Sequence, residues 1–111
     1  MENSIKLFES KKIRTHWDEA EEKWYFSVID VVEALTESVN PRDYWFKMKK
    51  RVNLEDGIEL STICRQLKLL APDGKMRQTD CADVQSLFRI VQSIPSPKAE
   101  PFKQWLAKVG Y

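Results

Sequence analysis

The stretch Asn40-Pro41-Arg42-Asp43-Tyr44-Trp45-Phe46-Lys47-Met48-Lys49-Lys50-Arg51-Val52 decides how the rest of the chain is read. Asn40 is a helix-capping residue type, Pro41 suits the first helical position, and Asp43 puts a carboxylate in the positive first turn. Trp45, Met48 and Val52 recur at i, i+3, i+7, the spacing of one helical face. Lys47, Lys49, Lys50 and Arg51 take the remaining circumference. The stretch predicts an aromatic-anchored helix with a cationic outer side. Two readings of that side stay open at this level. Its charges are either solvated groups over a core-packing helix, or the clustered cations that face phosphates.

On the N-terminal side, Ser27 with Asp30 three positions on resembles a capping box. Val28, Val31, Val32 and Leu35 follow at i, i+3, i+4, i+7, predicting a helix that ends near 36–38. Valines are weak helix formers, so burial must hold this helix. Before it, 5–8, 13–17 and 24–26 read as strands around a polar turn at 9–12 and the charged loop 18–23. In the second strand Ile13, Thr15 and Trp17 share one face, and Arg14 and His16 share the other, which places His16 toward solvent.

On the C-terminal side, 53–57 reads as a polar turn. Residues 58–70 carry both a helical and a strand pattern, read as a short helix capped by Ser61 that gives way to a strand over 65–70. Ala71-Pro72-Asp73-Gly74 is a turn signal, and 75–80 is the returning strand. This two-stranded ribbon carries Arg65, Lys68, Lys75 and Arg77, partly offset by Asp73. Thr79 or Asp80 is expected to cap a helix beginning at Cys81, with Val84, Leu87, Phe88 and Val91 as its apolar stripe. Pro95 and Pro97 break it, and 99–109 forms a last helix with Phe102, Trp105, Leu106 and Val109 inward. The expected fold is α+β: a single domain over 1–111, with a small antiparallel sheet from two hairpins packed with about four helices.

Composition bounds the function. A chain of 111 residues is one domain's worth, and 42% apolar residues with four tryptophans argue for a folded core. No apolar run approaches the roughly 20 residues of a membrane span, and the N-terminus lacks a signal peptide's apolar core, so a cytoplasmic protein is expected. The net charge of +1 hides an asymmetry: residues 1–41 hold five Lys/Arg against nine Asp/Glu (−4), and 42–111 hold thirteen against eight (+5). Such polarity permits a basic face on a nearly neutral protein.

Catalytic motifs are scarce. The chain has no GxSxG, Walker A, GxGxxG or HExxH pattern. Cys64 and Cys81 are unpatterned and read as reduced, buried thiols, and a zinc site built on them with the single His16 is discounted. The acidic pairs Asp80/Asp83 and Glu55/Asp56 are of a kind that binds Mg²⁺, but Asp80 and Asp83 also suit a helix N-terminus. No catalytic residue, metal ligand or cofactor is assigned, and an enzyme is not expected.

The run KWYFSVIDVVEALTES followed by NPRDYWFKMKKR resembles the start of a BRO-family N-terminal (Bro-N) domain, the module of viral BRO proteins and prophage antirepressors. The later blocks STICRQLKLLAPDGKMRQTDCAD and RIVQSIPSPKAEPFKQWLAKVGY are similar to the bacterial branch, which includes DNA-damage-inducible D-type and antirepressor-like proteins. The resemblance spans about residues 5–111. It implies an α+β domain that binds DNA and forms the N-terminal part of a longer protein, with no catalytic residues to carry across. Unlike the strongly basic viral members, this chain is near neutral.

The expected function is that of the DNA-binding domain of a prophage antirepressor-like or DNA-damage-inducible regulator, acting on double- or single-stranded DNA. Its contacts are expected from Arg42, Lys47, Lys49, Lys50 and Arg51 on the helix and from Lys68, Lys75 and Arg77 on the ribbon. Lys47, Lys49, Lys50 and Arg51 would hold phosphates, and Arg42 and Arg77 would reach bases. The rival expectation is a module that engages a repressor or recombination factor without touching DNA, since tryptophan is enriched at interface hot spots.

Overall fold

A computed structural model describes residues 2–109. The strands are β1 (Glu2–Phe8), β2 (Lys11–Asp18), β3 (Lys23–Ser27), β4 (Arg65–Leu70) and β5 (Met76–Asp83). The helices are α1 (Val28–Thr36), α2 (Pro41–Asp56), α3 (Val84–Gln92) and α4 (Ala99–Val109), with a 3-10 turn over Leu60–Ile63. All strand pairs are antiparallel in one five-stranded sheet of order β1-β2-β3-β5-β4. The α+β expectation therefore holds. The two hairpins become one sheet because β3 and β5 pair through Tyr25↔Asp83, Phe26↔Ala82 and Ser27↔Cys81.

The four helices pack on the sheet face that carries Phe8, Ile13, Phe26 and Ala82. α1 buries Val28, Val31, Val32 and Leu35, as its stripe predicts. Its cap is Ser27, whose Oγ accepts from the Asp30 amide at 3.3 Å, and Glu37 ends it in the left-handed region. α2 buries Trp45, Met48 and Val52, and the Asn40 side chain accepts from the Asp43 amide at 3.1 Å. The predicted turn at 53–57 is mostly helix. Nothing in Asn53 to Asp56 breaks the ladder, and α2 stops only where Gly57 adopts φ 68°.

Two further boundaries differ from expectation. Ser61 lies inside the 3-10 turn instead of capping it, and Glu59 precedes the turn without a side-chain capping bond. Cys81, Ala82 and Asp83 are strand, because β5 must run on to pair with β3. The cap of α3 is consequently Asp83, neither Thr79 nor Asp80; its Oδ1 accepts from the Ser86 amide at 2.9 Å. Asp83 also binds Lys23 Nζ at 2.9 Å. Burial pushes its carboxyl up, but the Ser86 amide and Lys23 outweigh this and hold it below the usual carboxylate range. A depressed pKa contributes stability above the unfolded value near pH 4 that is lost as pH falls through the folded one. Asp83→Asn should therefore flatten the decline of Tm between about pH 4 and pH 2. An unchanged decline would remove Asp83 from the acid response.

The opposite sheet face was expected to meet solvent at His16, but His16 is buried. The sheet curls until side chains of β2 and β4, which have two strands between them in the order, meet. Arg65 on β4 pairs with Asp18 on β2 and covers the Tyr25 ring at 5.3 Å. Tyr25, Leu69 and Cys81 form a small second cluster inside the curl. Of the tryptophans only Trp45 is fully buried; Trp24 and Trp105 are half-buried against the core edge, and the half-buried Trp17 packs on Trp24.

β3 is short, and this shapes the end of the sheet that matters most. Past Ser27 the chain turns into α1, so the β1–β2 and β4–β5 hairpins continue as two separate arms of a fork. Arg14, standing where β2 leaves β3, ties the first arm to α1 and to the turn end of β4. Its Nε and Nη2 donate to the Asp30 carboxylate at 2.8 and 3.0 Å, and its Nη1 donates to the Leu70 carbonyl at 3.0 Å. The Arg14 amide, which has no β3 partner at this point, donates to Asp30 Oδ2 at 2.9 Å.

Candidate nucleic-acid interface

The site begins at Asp80. On β5 this residue sits opposite Gln66 of β4, whose amide it accepts. It also accepts the Trp45 indole N–H at 2.7 Å and lies 3.5 Å from Lys49 Nζ. One carboxylate thus joins the basic helix to the basic arm and places the two predicted halves of the site side by side. Sequence reading gave Asp80 a capping role, because a carboxylate three residues before another near a helix start reads as a cap. Its partners lie 35 residues away for Trp45 and 14 away for Gln66, and no local pattern reports them.

On α2, at 3.6 residues per turn, Arg42, Phe46 and Lys49 fall on the flank beside the arm. Lys49 is half-buried between Asp80 and the Trp45 ring, 5.2 Å from the ring centroid. Lys50 stands 4.4 Å over the ring of Phe46, itself 52% exposed. Lys47 lies on the outer side in a surface pair with Asp43 at 3.1 Å. Arg51 points the other way and donates from Nη2 to the Ser93 carbonyl at 2.6 Å, tying α2 to the end of α3.

The arm divides its own cations. Lys68, opposite Gln78, shares the strand face of Gln66 and Asp80 and therefore turns toward α2. Arg77 is on the reverse face, paired with Asp73 across the turn, and this contact first of all holds the Asp73 carboxyl below its usual range. Lys75 follows Gly74, whose φ of 84° closes the turn. Arg42, Lys68 and Lys75 are exposed and make no ion pair among the described residues. The structure thus brings together Arg42, Lys49, Lys50 and Lys68, sets Lys75 at the tip, and turns Arg51 and Arg77 elsewhere. Lys12 on the other arm went unnoticed in the sequence. It faces the fork with Arg14, and their alternation along β2 was the available signal.

Other reactive groups are muted. Burial pushes the thiols of Cys64 and Cys81 up to about 12, so both stay protonated and unreactive at neutral pH. Among the described residues no three His, Cys, Asp or Glu side chains converge on a common point, and no helix is long and apolar enough to cross a membrane.

Fold and site together define a class: a small α+β domain with a forked sheet, carrying its cations along one helix flank and the adjoining hairpin arm. The chain belongs to the BRO family; residues 12–109 match the BRO family, N-terminal domain (Bro-N). These domains occur in regulatory proteins of phages and prophages and generally bind DNA. No curated protein and no solved structure matches the chain.

Proposed function

We propose that this domain is the DNA-binding part of an antirepressor-like or DNA-damage-inducible regulator, and that it holds phosphates along the groove between α2 and the β4–β5 arm. The observation that carries this reading is the Asp80 junction, which sets the cationic flank of α2 against the cationic face of the arm. Arg42, Lys50, Lys68 and Lys75 supply the charge, since none of them is in an ion pair among the described residues. Lys49 contributes less, since Asp80 already offsets it. The domain binds without catalysing, and phosphate contacts of this kind position a duplex without reading its sequence.

Four phosphate contacts predict that log affinity for duplex DNA falls with log salt at a slope of about −3 to −4. Fluorescence anisotropy of a random-sequence duplex at several salt concentrations measures this. Reversing Lys50, Lys68 and Lys75 to glutamate should lower affinity on the order of a hundredfold and leave a slope near −1. Reversing Arg77, already paired with Asp73, should change little. Undiminished affinity in the triple variant would place the DNA elsewhere.

A further inference from the structure

The mouth of the fork is a groove of about 580 Å³ between the two arms, floored by the start of α1 and the α1–α2 junction. Single apolar side chains are ordinary on a monomer's surface, but where they gather they mark contact sites. Three of them gather here: Val39 is 103% exposed, and Ile5 and Leu70 are each 57% exposed. They come from three separate elements, β1, the α1–α2 junction and β4, so no local pattern explains their convergence. Leu7, also exposed, lies two residues from Ile5 on the same face of β1.

The charges around these residues select the occupant. Arg14 and Asp30 neutralise each other at the base of the groove. Lys12 on the β1–β2 arm and Arg42 at the start of α2 flank the apolar residues from opposite sides, both exposed and neither in an ion pair among the described residues. Glu33 is the one lining carboxylate outside the Arg14 pair. An apolar floor between two free cations complements a segment with apolar side chains flanked by carboxylates.

We propose that the fork groove docks an acidic, apolar-studded segment of a partner protein. Val39 and Leu70 supply the apolar contacts, and Lys12 and Arg42 pair with the segment's carboxylates. Because Arg42 also borders the proposed DNA surface, an occupied groove and bound duplex compete for it. The docked partner then weakens DNA binding through one shared cation.

The test titrates the chain with a synthetic peptide of alternating leucine and glutamate and follows the methyl resonances of Ile5, Val39 and Leu70 and of Ile29, an α1 residue that also lines the groove. The expected result is saturable shifts confined to these methyls, and none from the same peptide with lysine replacing glutamate. Val39→Asp, at a fully exposed position, should weaken the peptide on the order of tenfold and leave duplex affinity intact. Lys68→Glu should do the reverse, so the peptide and DNA readings fail independently. No methyl shift, or equal binding of the lysine peptide, overturns the proposal. So does an unaffected Val39→Asp variant. Two other results also overturn it: duplex DNA shifting these methyls when the acidic peptide does not, and sedimentation showing self-association that Val39→Asp abolishes, which would make the occupant a second copy.

Discussion

Phe102→Ala is expected to remove a large share of the domain's stability, about 3–5 kcal/mol. Phe102 is fully buried and sits where α4 meets the sheet. Its ring meets Phe8 edge-on at 5.1 Å and Trp105 at 5.2 Å, and Phe8 in turn meets Trp105 at 5.6 Å. Truncation leaves a cavity that these rigid rings cannot collapse into, and it also removes aromatic contacts worth more than their area alone. Domains of this size hold about 5–15 kcal/mol in total, so Tm should fall by at least ~12 °C. Thermal unfolding followed by circular dichroism measures it. A fall of only a degree or two would mean that α4 is dispensable to the core.

Asp30→Ala should cost about 2 kcal/mol although it deletes one surface-proximal carboxylate. The full penalty for breaking a buried pair is roughly 3–5 kcal/mol, and the remaining exposure of Arg14 and Asp30 (22% and 15%) reduces it. What is lost is the point where a strand ends: Asp30 satisfies both the Arg14 guanidinium and the Arg14 amide that β3 no longer reaches. Arg14 would then hold the arm only through Leu70 and Ser27. The double variant Arg14→Met with Asp30→Ala should be less destabilised than the sum of the two single changes, because no unpaired guanidinium remains. Amide exchange in the β4–β5 arm should also quicken in Asp30→Ala. Additive single effects with unchanged exchange would show that the fork does not depend on this pair.

The sequence was most legible where partners are close along the chain. The Ser27 and Asn40 caps, the valine stripe of α1, the Trp45-Met48-Val52 face and the Ala71–Gly74 turn all rest on contacts within a few residues. Errors fell where distant pairing overrode local preference. Cys81 to Asp83 carry a reasonable helix start, yet β3 recruits them into the sheet. His16 alternates correctly on its strand, but alternation says which face a residue occupies, not whether the sheet curls over that face. The candidate site shows the same limit. Composition displays the cations of α2 and the arm, but only the Asp80 contacts and the Ser93 carbonyl decide that Lys68 faces α2 while Arg51 turns away.

The Trp105 indole donates to the Leu7 carbonyl at 2.8 Å. β1 is an outer strand, and Leu7 O turns away from β2, in the direction from which another chain would add. A passing strand that seeks to extend the sheet at this point finds its acceptor already taken and an aromatic ring across its path. The segment beneath reads Ser4-Ile5-Lys6-Leu7-Phe8, rich in β-formers and broken only by Lys6, the composition that seeds ordered aggregates. A side chain that anchors α4 to the core therefore also covers an adhesive margin of the sheet.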